Sequence, residues 1–282
     1  VKFVNGSNVN TMENVGDQIF ISTNLENIIY DGNNTSFMGK GFPNAKIVDV
    51  FSDNVNNYYA SDQSLIRLDG NKYISEKITF PSSSAKIQAL LIDDDIEYFG
   101  TNQGLWSRQN NRNVKLIKNI NAFSLDKAPD GSIIVGAKKG FYYLNKGALK
   151  KISPDGKDYL SLSNTAVRDI EVISENEIWY ATFGMGLFLH NPGTFSTLNA
   201  KDGLDVGGMT FDLVKNGNKV YIATKNGLFL YQNNKIKKHY TKNDGLPSNM
   251  ILDLDMDSSG NLWIATANGL SKLSGSVFKN YS

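Results

Sequence analysis

Residues 261–273 read NLWIATANGLSKL, and this stretch contains the unit from which the chain is built. An apolar run leads to a small residue and a threonine, a polar pair and a glycine follow, and a second apolar run closes the unit. The same order occurs in residues 177–189 (EIWYATFGMGLFL) and 219–230 (KVYIATKNGLFL). Two β-rich runs on either side of a short glycine-containing segment predict a β-hairpin that recurs along the chain.

Further copies of the unit lie upstream, at residues 96–108 and 132–144, and in more diverged form at residues 57–68 and 18–30. The small residue of each copy gives the spacing of the units: Ser22, Ala60, Gly100, Gly136, Ala181, Ala223 and Ala265. The intervals are 38, 40, 36, 45, 42 and 42 residues, which matches one four-stranded propeller blade. The sequence therefore predicts an all-β fold, a seven-bladed β-propeller of four-stranded antiparallel blades that occupies residues 1–282 as a single domain. A β-sandwich would not generate seven copies at this interval.

Each unit is predicted to contain four consecutive strands. In the last copy, residues 251–256 form the inner strand and residues 262–265 the second strand, which is apolar on both faces because each blade packs between two neighbours. Gly269 provides the tight turn into the third strand. The asparagine before this glycine, Asn268 here and Asn226 in the preceding copy, is a residue that tolerates a left-handed conformation.

The outer strand of a blade is expected to be more polar, as in residues 235–240, because it lies at an exposed edge. Residues 277–281 and residues 1–4 both resemble outer strands, and either could close the ring against the other terminus. The small residue of each unit is expected at the point where neighbouring sheets approach most closely, since a large side chain would not fit there.

Composition narrows the functions that the chain can have. The formal net charge is +1, whereas proteins that bind nucleic acids by neutralising phosphates are strongly basic. The absence of cysteine excludes disulfides, thiolate metal sites and cysteine nucleophiles. No apolar stretch reaches the length of a membrane-spanning helix. We therefore expect neither nucleic-acid binding nor direct membrane insertion.

The residues most often used in catalysis do not form a recognisable set. His190 and His239 occupy different positions of the repeat and are not expected to converge. The acidic stretch from Asp253 to Gly260 resembles a calcium loop, but Thr266 stands where the bidentate glutamate is required, and a β-turn is the better interpretation. The sequence thus predicts no catalytic residue, no metal site and no cofactor.

Propellers bind ligands at the mouth of the axial channel, where the loops between the second and third strands lie. The predicted ligand-binding residues are Asn102, Gln103, Lys138, Phe183, Met185, Lys225, Asn226 and Asn268. The loop from Phe183 to Met185 has one extra residue, and such departures from a repeat often mark function. Residues 153–165, which include Asp155, Asp158, Tyr159 and Asn164, are expected to overhang the same rim. Amides beside an aromatic ring suit a sugar, and equally a peptide or a protein edge.

Residues 244–246 (DGL), residues 247–249 (PSN) and residues 257–270 (DSSGNLWIATANGL) together resemble the two-component regulator propeller repeat. Residues 202–204 (DGL) begin a second such copy. The resemblance extends over the whole chain in its period and over about half of it in its motif.

The resemblance implies the sensor region of a hybrid histidine kinase, located in the periplasm or otherwise outside the cytoplasm of a bacterium. It also implies a non-catalytic propeller that senses a small molecule, with oligosaccharides as the expected class. Two alternatives remain open at this point: a scaffold that docks another protein, and a lyase or hydrolase of the propeller type.

Overall fold

The computed structural model describes residues 9–15, 18–31, 34–38, 41–53, 55–110, 112, 114–152, 162–191, 194–204 and 209–281. Regular structure in these ranges is β-strand, apart from three short 3-10 turns at Leu162–Asn164, Ala200–Asp202 and Lys242–Asp244. None of these turns is long or apolar enough to cross a membrane as a helix.

The strands group in fours along the chain. The first four groups are β1 (Val9–Val15), β2 (Gln18–Thr23), β3 (Asn27–Tyr30), β4 (Thr35–Phe37); β5 (Ile47–Ser52), β6 (Asn57–Ser61), β7 (Ser64–Asp69), β8 (Lys72–Lys77); β9 (Ile87–Asp93), β10 (Ile96–Thr101), β11 (Leu105–Gln109), β12 (Lys115–Lys118); and β13 (Ala122–Lys127), β14 (Ile133–Ala137), β15 (Gly140–Asn145), β16 (Ala148–Lys151). The remaining groups are β17 (Ala166–Ser174), β18 (Glu177–Phe183), β19 (Leu187–Asn191), β20 (Thr194–Leu198); β21 (Thr210–Asn216), β22 (Lys219–Thr224), β23 (Gly227–Gln232), β24 (Lys235–Tyr240); and β25 (Ile251–Met256), β26 (Leu262–Thr266), β27 (Gly269–Ser274), β28 (Val277–Tyr281).

Within each group the strands pair antiparallel with their neighbours in chain order, which confirms the predicted four-stranded antiparallel sheets. We number the groups one to seven and call each a unit. Units four and five share one parallel residue pair, Gly140 with Ala166, so that β13 to β20 form one eight-stranded sheet. Because two units merge in this way, the blade count of seven stays a prediction.

The first strand of each unit lies beside the first strand of the next, and β25 of unit seven lies beside β1 of unit one. At this closure the Tyr30 and Trp263 rings meet with centroids 5.1 Å apart, within an apolar cluster drawn from both units. Residues 277–281 form the outer strand of unit seven, as predicted. Residues 1–4 lie outside the described residues.

The burial of the strands follows the predicted order. Every residue of β26 is buried, and β22 is buried from Val220 to Thr224, because the second strand packs between two neighbouring units. The outer strand β24 is largely exposed, as expected for an edge. The core is therefore a series of apolar layers between units rather than one central cluster.

The small residue of each unit lies against the first strand of the next unit, as predicted. A Cβ atom added to Gly100 would lie 3.2 Å from the Cβ of Ala122. A Cβ atom added to Gly136 would lie 2.3 Å from Ser124 Oγ and 3.0 Å from the carbonyl oxygen of Val167 in unit five. Ala181, like its counterparts in units six and seven, has no exposed surface. The spacing of the sheets therefore limits this position to small residues.

The turn between the second and third strands has a recurring hydrogen-bond pattern. The hydroxyl of Thr224 donates to the carbonyl of Gly227 at 2.7 Å and accepts from the Asn226 amide at 3.1 Å. Thr266 bonds with Gly269 in the same way. The glycines take the positive φ angles, 133° for Gly227 and 99° for Gly269, whereas Asn226 and Asn268 are not left-handed, so the turn makes no use of the asparagines' tolerance.

Neighbouring first strands share no ladder pairing in the described residues, and aspartates connect them instead. Asp49 Oδ2 of unit two accepts from the Leu90 amide of unit three at 2.7 Å. Asp253 Oδ2 of unit seven accepts from the Met12 amide of unit one at 2.7 Å, across the closure of the ring. We call such a bond an aspartate clamp. Two more join units four to five and six to seven: Asp126 to the Val172 amide at 2.9 Å and Asp212 to the Leu254 amide at 2.5 Å.

Replacing Gly136 with alanine is expected to destabilise the fold by about 1–3 kcal/mol, because the new methyl group meets Ser124 and the backbone of unit five. Denaturant unfolding measures the change. The double variant G136A/S124A is expected to recover part of the loss, since it removes the nearest atom. Unchanged stability of G136A would contradict the close approach.

Replacing Asp49 with alanine is expected to cost about 1–3 kcal/mol of unfolding free energy, because the Leu90 amide loses its acceptor. Asp49→Asn keeps an acceptor oxygen and is expected to cost less. The control is Asp69→Ala, on the exposed end of β7, which is expected to change stability by no more than about 0.5 kcal/mol. A loss in D49A no larger than that in Asp69→Ala would show that the clamp does not stabilise the fold.

Candidate functional site

A β-bulge recurs at the same place in the first strand of every unit. In unit one the register skips one residue between Val9 and Thr11, and in unit five it skips one between Val167 and Asp169. A bulge turns one side chain out of the regular alternation of a strand. The skipped residues are Asn10, Val48, Gln88, Phe123, Arg168, Phe211 and Leu252.

Four of these bulge residues, on units one, two, three and five, line one common cavity of about 410 Å³. Residues from such distant units can meet only near the axis of the ring, at the end where the loops between second and third strands lie. We call this cavity the channel mouth. Its lining consists of Asn10, Lys46, Val48, Asp62, Lys86, Ile87, Gln88, Asn102 and Arg168.

Two amide groups in the channel mouth have atoms without a hydrogen-bond partner among the described residues. Asn10 Nδ2 is a buried donor of this kind, and Gln88 Oε1 is a buried acceptor. Buried polar atoms in folded proteins are nearly always satisfied, by protein, by ordered water or by a ligand. Asn10 and Gln88 therefore each bring to the lining of the channel mouth an amide group that has one buried atom without a partner in the described residues.

Arg168 reaches into the channel mouth from unit five, across unit four. Its guanidinium carbon lies 4.5 Å from the centre of the Phe123 ring, in a cation–π contact. The side chain is exposed to the cavity, yet the surrounding protein removes enough water to lower the pKa of the guanidinium, while Asp169 acts to raise it. The described residues give Arg168 no ion pair.

Below the channel mouth, acidic side chains line the channel in two layers. The first layer directly follows the bulge and contains Asp49, Asp169, Asp212 and Asp253. The second layer lies two residues further along the first strands and contains Glu13, Asp126, Glu171 and Asp255. No group of His, Asp or Glu in the described ranges has the arrangement of a metal site.

Burial raises the pKa of these carboxyl groups, and their mutual repulsion adds to the effect. The pKa of Glu13 is raised to about 9, mainly by burial and then by Asp255 and Asp49. The pKa of Glu171 is raised to about 8, again by burial first. Burial also raises the pKa of Asp49 to about 7, although the hydrogen bonds that its carboxylate accepts from two backbone amides act to lower it. The channel therefore retains protons at a pH where free carboxyl groups are ionised.

The predicted rim residues all lie at the end of the ring that carries the channel mouth, but only Asn102 lines it. Asn102 Oδ1 accepts from the Lys86 amide at 2.8 Å, and Gln103 Nε2 donates to Ser84 Oγ at 2.6 Å. Both side chains thus hold the segment that leads into β9. Lys138 lines a separate cavity of about 260 Å³ between units three and four.

The enlarged loop in unit five has the predicted extra residue. Thr182 Oγ1 donates to the carbonyl of Gly186, four residues on, where Thr224 reaches a glycine three residues on. Phe183 and Met185 in this loop are 48% and 36% exposed, so they present apolar surface at the rim.

The other rim predictions have the following outcome. Lys225 and Asn268 are exposed, and the Asn226 carbonyl oxygen lies 2.8 Å from Nε2 of His239. Asp155, Asp158 and Tyr159 lie outside the described residues, whereas Asn164 ends a 3-10 turn. A ligand-binding role for the rim residues stays a prediction.

Sequence reasoning missed the bulge residues and the aspartates of the axial channel. One signal is visible in hindsight: Asp49, Asp169, Asp212 and Asp253 each precede the small residue of their unit by 11 or 12 positions. No comparable signal marks the bulge, because the skipped residues share neither size nor polarity.

A larger cavity, of about 830 Å³, lies between units three and four at the opposite end of the strands. Its wall includes Tyr98 and Leu144, and its rim includes the exposed side chains of Arg112 and Lys115. It opens onto the outer strands rather than the axis, and it lacks the converging unpaired atoms of the channel mouth. We therefore place the candidate site at the channel mouth.

The two histidines occupy separate positions, as predicted. His190 on β19 stacks on Phe195 with ring centroids 4.3 Å apart, and His239 on β24 stacks on Phe229 at 4.0 Å. The segment that resembles a calcium loop forms a turn, in which the Gly260 amide donates to the Asp257 carbonyl at 2.8 Å. Each histidine thus packs on a phenylalanine of its own unit.

The DGL segments have a structural role. The Asp244 carboxylate accepts from the Thr241 amide at 2.8 Å, Gly245 has a φ of 111°, and Leu246 is buried between units six and seven. Residues 202–204 repeat this arrangement, with Leu204 buried between units five and six. The leucine of the motif therefore packs in the interface between successive units.

Residues 245–268 match the family model described as "Two component regulator propeller". The family resemblance predicted from the sequence is thereby confirmed, and the motif of the repeat coincides with the buried join between units six and seven. No curated protein matches the chain.

Solved structures with a similar fold include other propellers. The extracellular domain of the putative hybrid two component system BT4673 from B. thetaiotaomicron has a TM-score of 0.76 and 22% identity, over 95% of this chain and 38% of that chain. The corresponding domain of BT3049 from the same organism has a TM-score of 0.62 and 19% identity, over 97% and 40%. A catalytically inactive virginiamycin B lyase from Staphylococcus aureus has a TM-score of 0.76 and 9% identity, over 96% and 97%.

These identities show a shared β-propeller fold. The chain spans about two fifths of the length of the two extracellular domains, whereas it matches the lyase over nearly its whole length. The chain therefore has a stretch that matches the regulator propeller repeat, and a fold that it shares both with extracellular domains of putative two component systems and with an enzyme.

The axial carboxyl groups are expected to make the protein less stable as the pH rises. Their folded-state pKa values, about 6 for Asp253 and about 9 for Glu13, lie above those of free side chains, so the folded state binds protons more tightly. Their contribution to stability is complete below about pH 4 and is lost as the pH rises through these values. Denaturant unfolding is expected to give a larger free energy at about pH 5 than at about pH 8.5.

Asp49→Asn is expected to reduce this difference, because it removes one of the titrating groups. The control is Asp257→Asn. Partial burial acts to raise the pKa of Asp257, but hydrogen bonds from Asn261 and Lys272 outweigh it and lower the pKa to about 2. Asp257 is therefore ionised at both values of pH, and its replacement leaves the difference unchanged. Greater stability at the higher pH would contradict the protonated channel.

Proposed function

We propose that this chain is a ligand-binding propeller of a bacterial sensor protein, that it lies outside the cytoplasm, and that it has no catalytic activity of its own. Its ligand is an oligosaccharide, which binds at the channel mouth. The observation that carries the proposal is the pair of amides, Asn10 and Gln88, that line one cavity from two different units, each with a buried atom that has no partner in the described residues.

The chemistry of the channel mouth supports a sugar. A hydroxyl group both donates and accepts hydrogen bonds, so neighbouring hydroxyls can satisfy Asn10 Nδ2 and Gln88 Oε1 together. The exposed ring of Phe183 at the same rim offers an apolar surface, which suits the face of a sugar ring. The volume of about 410 Å³ is within the range of small-molecule sites.

The comparisons support the part of the proposal that concerns the kind of protein and its location. One stretch of the chain matches the model described as "Two component regulator propeller", and the fold is shared with proteins described as extracellular domains of putative hybrid two component systems. Binding without turnover is favoured over lyase chemistry because the two histidines stack on phenylalanines in outer parts of their units, away from the channel mouth.

Calorimetric titration with a library of neutral and acidic oligosaccharides tests the proposal. We expect at least one oligosaccharide to bind. We expect Gln88→Ala to lower the affinity for it by about 3- to 10-fold, the effect of one lost hydrogen bond. Because Gln88 Oε1 has no hydrogen-bond partner in the part of the chain that the structure describes, this variant is expected to keep its stability.

The control for this titration is Gln109→Ala, at the opposite end of the strands beside the larger cavity, which is expected to bind like the wild type. Failure of every oligosaccharide to bind would contradict the proposed function. Conversion of a bound oligosaccharide into products would contradict the absence of catalysis.

A further inference from the structure

Arg168 is the one charged side chain among the seven bulge residues described above. The other six are polar amides or apolar groups, so the charge does not belong to the architecture of the repeat. The Phe123 ring supports its guanidinium at 4.5 Å and limits the directions in which it can point. A fixed guanidinium that is exposed to a cavity and has no ion-pair partner in the described residues is suited to bind an anionic group.

The remaining charges of the channel mouth favour an anion. Lys46 is exposed in its lining, and the charge of Lys86 is balanced by Asp62, with Nζ and Oδ2 2.7 Å apart. The lining therefore carries an excess of positive charge from Arg168 and Lys46. The acidic residues of the two layers lie below and are absent from the lining of this cavity, whose one carboxylate is that of Asp62.

We propose that the ligand of the channel mouth is an acidic oligosaccharide, whose carboxylate binds the guanidinium of Arg168 while its hydroxyl groups bind Asn10 and Gln88. This inference rests on the proposed function and specifies the ligand class. Arginine presents two parallel N–H donors, which match the two oxygens of a carboxylate. A uronic acid carries that carboxylate and neighbouring hydroxyl groups on one ring.

The experiment compares acidic oligosaccharides with chemically matched neutral ones. Oligomers of two to four uronic acid residues, of galacturonate, glucuronate and mannuronate, are titrated into the full chain by calorimetry. The same oligomers, with each carboxyl group reduced to a hydroxymethyl group, serve as neutral partners. We expect a uronate oligomer to bind and its reduced partner to bind about 10- to 100-fold more weakly, as for the loss of a charged hydrogen bond.

Substitution of Arg168 tests the assignment to this residue. Arg168→Met is expected to lower the affinity for the uronate oligomer by a similar factor and to leave the affinity for the reduced oligomer unchanged. Arg168→Lys is expected to recover part of the affinity, since lysine keeps the charge and loses the paired donors. The control is Arg112→Met, which removes an exposed arginine beside the larger cavity, and which is expected to bind like the wild type. Unfolding curves of the variants exclude a loss of fold.

The outcomes separate this inference from the proposed function. If neutral oligosaccharides bind and lose affinity in Gln88→Ala while no uronate binds more tightly, the proposed function stands and the acidic ligand is wrong. If uronates bind equally well to Arg168→Met, the assignment to Arg168 is wrong. If a tripeptide with a free C-terminal carboxylate binds through Arg168 and no oligosaccharide binds, both the saccharide and the proposed function are wrong.

Discussion

The inner strands of this propeller lie side by side without forming a ladder in the described residues, and their backbone amides therefore need acceptors from elsewhere. Aspartate carboxylates of the preceding unit supply them, as Asp49 does for Leu90 and Asp253 for Met12. An amide left without an acceptor at this depth would cost as much as a lost hydrogen bond. The clamps also fix the height of each unit relative to the next, and thereby the place where each bulge faces the axis. The bulge residues of different units line one channel mouth because the clamps hold the units at matching positions along the axis.

The same carboxylates make the channel acidic. Eight Asp and Glu side chains in two layers share a space with few opposing charges, among which Lys215 lowers the pKa of Glu171 only slightly against burial. Such an arrangement is tolerated when the groups hold protons or accept backbone amides, and both occur here. The positive charge of Arg168 lies above these layers, so the channel has a basic entrance and an acidic interior.

The sequence allowed the period, the four-stranded sheets and the tight packing at residues such as Gly136 to be predicted, because these depend on local pattern and on side-chain size. It also placed the rim loops at one end of the strands. It could not show that Asn102 holds a neighbouring segment instead of facing solvent, nor that Asn226 avoids the left-handed region. The first outcome depends on a contact between neighbouring segments, and the second on a threonine hydroxyl that accepts a hydrogen bond from the Asn226 amide within the turn.

The bulge residues illustrate why the site itself escaped prediction. A bulge is set by the pairing of two strands, and the skipped residue can be Asn10, Phe123 or Arg168 without any change in the pairing. The alternation of apolar and polar residues, from which strands are predicted, fails at the very position that faces the ligand. Arg168 therefore looks like an ordinary surface residue in the sequence, and only the ring brings it opposite Gln88.

Unit three has alanine, Ala89, at the position where units two, five, six and seven have an aspartate. In the described residues neither the join between units three and four nor the join between units one and two, where Thr11 holds the position, has an aspartate clamp, and the cavity of about 830 Å³ lies at the join between units three and four. A closed ring has no terminal repeat that can fray first, so its weakest join determines where it opens. This propeller has a seam, and thermal motions that separate neighbouring blades are expected to concentrate there, on the side of the ring remote from its covalent ends.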